Sequence, residues 1–275
     1  MTDKMKELVR TANFELIPVK SAEQDLSLIT TTTTVTITCS PTFGLERTVT
    51  LAERAAASGH HVVPHLAARQ VTGAGELRSL TDRFRAAGIR ELYVIGGDQP
   101  EPAGPYASAL DLLEALSDIE HGFQSIGVAC YPEGHPLIAD EVLQEALARK
   151  QQHADYMVSQ MCFHADGLLD WLAQARRSGI ELPLNIGLAG PTDARRLAQL
   201  SLKIGVGASL RYLTKQHGLV GSVLRGRHYE PERLLRELGG ALSEPGLGIA
   251  RLHLFSFNQV GKAVAWQDRV LGETR

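Results

Sequence analysis

A carboxylate inside an apolar run is the first group in this sequence able to do chemistry: Glu15 sits in FELIPV, between Phe14 and Leu16. An unpaired carboxylate is costly to bury, so two readings stand side by side. Either Glu15 pairs with a base such as nearby Lys20, or the apolar wall holds its proton on and makes it an acid near neutrality. Other polar groups recur where apolar runs end, namely Thr38, His65, Asp98, Gln160 and Asn258. The densest set is YPEGHP, where Tyr131, Glu133 and His135 fall within five residues beside Pro132 and Pro136, which restrict their directions. Tyr131 and His135 there either bind a ring or phosphates or shape a tight turn. His65, after VVP, is either a ligand-binding group or a hydrogen-bonded core residue. In YVIGGDQP a run of β-formers stops at Gly96 and Gly97, which let a planar ligand approach the backbone, with Asp98 beside it.

Several chemistries are disfavoured. Glu15, His65, Asp98 and His135 supply metal-type donors, but no two histidines share the spacing that metals use on one element, so no metal is expected. GAGE at 73–76 does not follow a strand-like run, so a nicotinamide or flavin would lie across loops rather than on a dinucleotide-binding turn. A net charge of -3 with both signs dispersed gives no field for nucleic acid. Cys39, Cys130 and Cys162 are far apart and read as small buried thiols in a reducing compartment. The opening MTDKMKELVR is not a signal peptide, and no run nears the roughly 18 apolar residues of a membrane span. A cytoplasmic protein is expected, and a homo-oligomer is compatible with the sequence.

The elements that must position these groups are β-rich runs at 14–19, 34–39, 60–66, 91–97, 124–132, 155–163, 182–190 and 250–257. Between them lie segments of helical spacing. ALDLLEALSDI gathers Leu110, Leu112, Leu113 and Leu116, and DEVLQEALARK gathers Val142, Leu143, Ala146 and Leu147. SAEQ at 21–24 has the capping-box pattern ahead of a first helix, and Thr30 to Thr34 read as the approach to the second strand or as a hydroxyl array. The segment of about 60 residues before the last run suggests several helices. Strands almost wholly apolar and alternating with helices predict a parallel sheet covered on its outer face. Eight such units in 275 residues, at 44% hydrophobic content, predict one α/β domain over 1–275, a (β/α)8 TIM-type barrel, with an open doubly wound sheet as the competitor. In a barrel the C-terminal strand ends converge on one site, which is where the polar residues above fall.

In this order the motifs resemble the 5,10-methylenetetrahydrofolate reductase family, from Phe14 to about Leu271. FELIPVK is similar to the family's FEFFPPK and puts Glu15 on its catalytic glutamate. VTITCSPTFGLERT resembles the second strand with its flavin-contacting threonine, here Thr38, and VVPHL carries the family histidine at His65. YVIGGDQP resembles the strand ending in Arg-Gly-Asp, with Gly96 at the arginine, Gly97 at the cofactor and Asp98 facing flavin and folate. VACYPEGHP is similar to AYPEVHP and brings Tyr131 and His135 to the flavin. LARKQQHADYMVSQMCF gives Lys150 for the flavin and Gln160 for the substrate, with Met161-Cys162 in place of an aromatic pair. LHLFSFNQ resembles HFYTLNR, with Gln259 at its arginine.

The resemblance implies FAD as cofactor, NAD(P)H as co-substrate and a tetrahydrofolate derivative as partner, with Glu15 protonating the leaving amine and Asp98 acting on pterin and flavin. Gly96 leaves open a flavin-free barrel working directly with NAD(P)H or as the folate partner of a demethylase, and a non-catalytic folate-binding protein is a further alternative.

Overall fold

All eight apolar runs form strands in the computed structural model, which describes residues 2–192 and 230–273. They are β1 (Asn13–Leu16), β2 (Val35–Ile37), β3 (Val62–Ala67), β4 (Glu91–Ile95), β5 (Ser125–Cys130), β6 (Tyr156–Met161), β7 (Leu184–Ala189) and β8 (Ile249–Phe255). Each pairs in parallel with its neighbours, and β8 closes on β1 through Asn13↔His253 and Glu15↔Phe255. The predicted (β/α)8 barrel is therefore the observed fold, and the open sheet is not.

Period-two alternation decides what faces what. Phe14, Leu16, Val35, Ile37, Leu252 and Leu254 point outward and are fully buried beneath the helices. Val63, Tyr93 and Val158 form a separate cluster with Ile95, Ala129 and Tyr156 that plugs the barrel interior. Burying a Leu or Phe side chain contributes about 1.5–3 kcal/mol, so the outer shell holds the barrel closed. The inner face is left free for polar residues at one end.

The described helices are α1 (Asp3–Arg10), α2 (Ala22–Leu26), α3 (Leu45–Ala57), α4 (Ala74–Ala86), α5 (Ala109–Ser117), α6 (Asp140–Lys150), α7 (Ala165–Arg177), α8 (Glu232–Leu238) and α9 (Val260–Leu271). Helix α1 precedes the barrel, a use of MTDKMKELVR that its charge did not announce. Its Met5, Leu8 and Val9 are buried, and Gln267 of α9 donates to the Val9 carbonyl. The capping box expected at SAEQ does not form. Ser21 is helical rather than extended, and its hydroxyl bonds Asp25 instead of a backbone N–H. Ser108 and Asp111 at the start of α5 make a capping box. Leu110, Leu112, Leu113 and Leu116 of α5 are buried as expected. On α6 only Leu147 and Lys150 are buried, and Val142 stays 55% exposed. Thr30 bonds Thr32 and Thr33 in the loop leading into β2. Most of the segment expected to hold several helices before β8, residues 193–229, lies outside the described residues.

Candidate functional site

Glu15 lies on the inner face of β1 because Phe14 and Leu16 occupy the outer one, and it is 8% exposed. Its partner is His253, from the inner face of β8, whose Nε2 lies 3.1 Å from Oε2 of Glu15. Lys20 is exposed and forms no ion pair among the described residues, so the pairing weighed for it does not occur. The barrel closure sets this geometry. Ser256, just past β8, donates to the Glu15 carbonyl. Asn258 clamps the chain after β1 with both arms of its amide, accepting from Ile17 N at 2.8 Å and donating to Ile17 O at 2.9 Å. Phe257 and Asn258 carry φ of 50° and 55°, a conformation costly for non-glycine residues and often held at functional sites.

His65, from β3, points its Nε2 at the same carboxylate oxygen from 3.9 Å, too far for a hydrogen bond, and its ring meets Tyr93 edge-on at 4.6 Å. Burial, with His253 adding to it, holds the His65 pKa well below the ordinary histidine value. It is therefore a neutral imidazole at neutral pH. Donor atoms of Glu15, His65 and His253 lie within 4.8 Å of one another. Three separate strands supply them, so no spacing along one element reveals the grouping. The contact found within it is a hydrogen bond.

Around this centre several buried polar atoms have no partner among the described residues: Thr36 Oγ1, Thr38 Oγ1, His65 Nε2 and Gln160 Oε1. Buried polar groups are normally bonded, and each orphan costs about 1–3 kcal/mol. Thr38, His65 and Gln160 come from the C-terminal halves or ends of β2, β3 and β6, and Thr36 from the middle of β2. Unpartnered donors and acceptors of this kind are free to bond a polar ligand.

The end of β4 shows why two glycines stand there. Gly97 has φ +92°, and a Cβ built on it would lie 3.0 Å from the Cβ of Ala67. Gly96 is not left-handed, and its nearest neighbour would be the Ala109 nitrogen at 4.0 Å, so nothing local demands glycine. Asp98 is exposed beyond them. Arg69 approaches this loop, but its guanidinium is spent on the carbonyls of Gln99, Pro100 and Ala107.

Residues 131–134 form a turn, with Gly134 N donating to the Tyr131 carbonyl at 3.1 Å and Gly134 at φ +74°. The His135 ring stands edge-on to Tyr131 at 5.3 Å. Burial, with Cys130 and Asp98 adding to it, pushes the Tyr131 phenol up to about 12. Glu133 accepts from Phe163 N and ties this turn to the end of β6. A cleft of about 260 Å³ opens past Tyr131, Pro132 and Gly134 between α6 and α7. Lys150 is not gathered into the mouth. Its amine donates to the Ala129 carbonyl at 2.8 Å, and desolvation lowers its pKa to about 8. Cys39, Cys130 and Cys162 are buried free thiols.

The structure thus brings Glu15, Thr38, His65 and Gln160 to the mouth, with Asp98, Tyr131 and His135 on its rim and Lys150 in the wall. Missing from the sequence reading are His253, Thr36 and Ser256. The signal for His253 was its place in LHLFSF, alternating with the outward Leu252 and Leu254.

Comparison with known proteins follows the same lines. A family profile described as methylenetetrahydrofolate reductase matches residues 11–210. "Methylenetetrahydrofolate reductase 2" of Saccharomyces cerevisiae is 26% identical over 113 residues, 37% of this chain and 19% of that protein. "5,10-methylenetetrahydrofolate reductase" of Pectobacterium carotovorum subsp. carotovorum is 26% identical over 152 residues, 54% of this chain and 50% of that one. The matched segments thus span a fifth to a half of these relatives. Among solved structures, oxaloacetate acetylhydrolase superposes with a TM-score of 0.51 at 12% identity, over 95% of this chain and 82% of that one, which is a likeness of fold.

Proposed function

Because the chain belongs to the methylenetetrahydrofolate reductase family, we propose that it reduces 5,10-methylenetetrahydrofolate to 5-methyltetrahydrofolate with NAD(P)H as the source of hydride, within a single catalytic domain. The observation that carries this reading is a buried carboxyl, Glu15, among the unpartnered polar atoms of Thr38, His65 and Gln160 at the C-terminal end of the barrel. That is where barrel enzymes do their chemistry.

FAD, held along Thr38, His65, Gly97, Tyr131 and His135, would supply the relay of hydride from nicotinamide to folate. The chain's own residues do the rest. Glu15 gives its proton to the amine of the folate's five-membered ring, an N–H bond forms as the C–N bond breaks, and the iminium left on the one-carbon bridge accepts hydride. Gln160 hydrogen-bonds the pterin edge from β6. Asp98 on the rim places negative charge beside the cationic intermediate. Val63, Tyr93 and Val158 pack the barrel interior beside these groups, which limits the room for water there.

A second reading, direct transfer from NAD(P)H without flavin, is favoured by one observation. Gly96 offers no cation at the rim, and Arg69 is already occupied by three carbonyls. The visible spectrum of the purified protein separates the two, since only a flavoprotein is yellow. Glu15→Gln tests the assignment common to both. Folate reduction should fall by about 10²–10⁴ while oxidation of NADH by an artificial acceptor in the flavin-loaded protein persists. Equal loss of both activities would remove Glu15 from the role of acid.

A further inference from the structure

We propose that His253 is a positioning residue for Glu15: it donates its Nε2 proton to Oε2, leaves Oε1 to carry the transferable proton, and stabilises the carboxylate that remains once that proton has gone. This rests on the reading of Glu15 as the acid.

The geometry singles out His253. It is 2% exposed, and its Nε2 is 3.1 Å from Glu15 Oε2. His65, the other imidazole on that oxygen, stands at 3.9 Å without a hydrogen bond. The pair is held at its base by strand register, Asn13↔His253 and Glu15↔Phe255, and above by Ser256 on the Glu15 carbonyl and Asn258 on Ile17. An acid whose carboxyl group is fixed in this way presents its proton in one direction, which is the condition for efficient transfer. The ring of His253 is set in turn by Phe255, edge-on at 4.8 Å.

The chemistry follows from proton inventory. A neutral imidazole carries one N–H, and the ring can donate through only one nitrogen. With that proton on Nε2, the bond to Oε2 is neutral while Glu15 is protonated and becomes charge-assisted as Glu15 ionises. The interaction strengthens as the reaction proceeds, which is what lowers a barrier. Among the described residues, the titratable groups gathered about Glu15 are His253 from β8, His65 from β3 and, next to both imidazoles, Tyr93 from β4. His65 stays neutral, and burial, with Glu15 among several lesser causes, raises the Tyr93 phenol well above its ordinary value. Neither supplies a competing charge near pH 7.

The experiment compares His253→Leu and His253→Gln, following the pH dependence of folate reduction and of NADH oxidation by an artificial acceptor. A hydrogen bond to a charged group is worth about a 10- to 100-fold change in ionisation, or about one to two pH units. Leucine should therefore move the alkaline limb of folate reduction upward by that amount and slow the step at least about tenfold. Glutamine, whose amide N–H reaches toward the position of Nε2, should keep the limb near its wild-type pH and recover most of the rate. NADH oxidation by the flavin-loaded protein should change far less than folate reduction in both, with no shift of its pH profile. Superimposable pH profiles for the leucine and glutamine variants, or a wild-type profile for leucine, would overturn the proposal. If Glu15→Gln still reduces folate, the parent reading fails instead, and the two failures are distinct. Should the leucine variant not fold, the glutamine variant decides: a limb displaced like that of His253→Asn, which is too short to reach Oε2, overturns the proposal.

Discussion

Alanine at position 97 and alanine at position 96 should behave very differently, although the two glycines are adjacent. At Gly97 the backbone has φ +92°, a region in which an L-residue costs about 1–2 kcal/mol. The added Cβ would also stand 3.0 Å from the Ala67 Cβ, inside the roughly 3.5–4.0 Å at which carbon atoms attract. Ala67 is fully buried on β3, so relief requires a shift of the barrel wall, and overpacking of this kind costs about 1–3 kcal/mol. Reduced freedom of the unfolded chain returns about 0.4–1 kcal/mol. The net expectation for Gly97→Ala is a loss of about 1–4.5 kcal/mol. At Gly96 the φ is ordinary and the nearest atom is 4.0 Å away, so only the unfolded-state gain remains and stability should be unchanged or up to about 1 kcal/mol higher. Urea denaturation of the two single variants, at unchanged m-value, reads both numbers. Equal midpoints for the two variants would refute the claim that the turn, rather than the pair of glycines as a flexible unit, is what the sequence specifies.

Gly96→Arg follows from the same geometry. The backbone accepts a Cβ there, and the new guanidinium would stand at the rim beside Asp98, so the variant should bind added FAD more tightly by at least a few-fold. Fluorescence titration measures this, and unchanged affinity would show that position 96 does not face the cofactor. Lys150 gives a prediction with a definite sign. Its folded pKa of about 8 lies below the ordinary lysine value of about 10.5, so between these values the unfolded chain binds more protons and stability rises with pH. Relative to Lys150→Met, wild-type protein should therefore gain stability as pH goes from 8 to 10.5, by up to about 3 kcal/mol at about 1.4 kcal/mol per unit, read as the difference in urea midpoints. A flat difference would place the amine in water.

The fold was legible because burial leaves a local record. FELIPV, TVTITC and their successors keep an unbroken apolar face, Phe14 and Leu16 or Val35 and Ile37, as strands beneath helices must, and all eight became strands. The rim was legible for a similar reason: Thr38, Asp98, Tyr131 and Gln160 are polar residues where apolar runs stop. Local pattern misled where competing contacts decided, as at Ser21, which bonds Asp25, and at Val142, which is 55% exposed on α6 among the described residues. His253 belongs to a different class. Its strand gives no sign that the inner face of β8 adjoins that of β1, 238 residues away, because adjacency between first and last strands exists only once the barrel closes.

The sequence by itself therefore determined which residues are strand, which faces are apolar and which polar groups sit at strand ends, since these depend on periods of two to four residues. Tertiary structure alone decided who meets whom: that Glu15 is answered by His253 and not by Lys20, that Arg69 is occupied and Lys150 lies in the wall. Those outcomes depend on distances set by barrel closure, and chain order carries no information about distance between residues brought together from opposite ends.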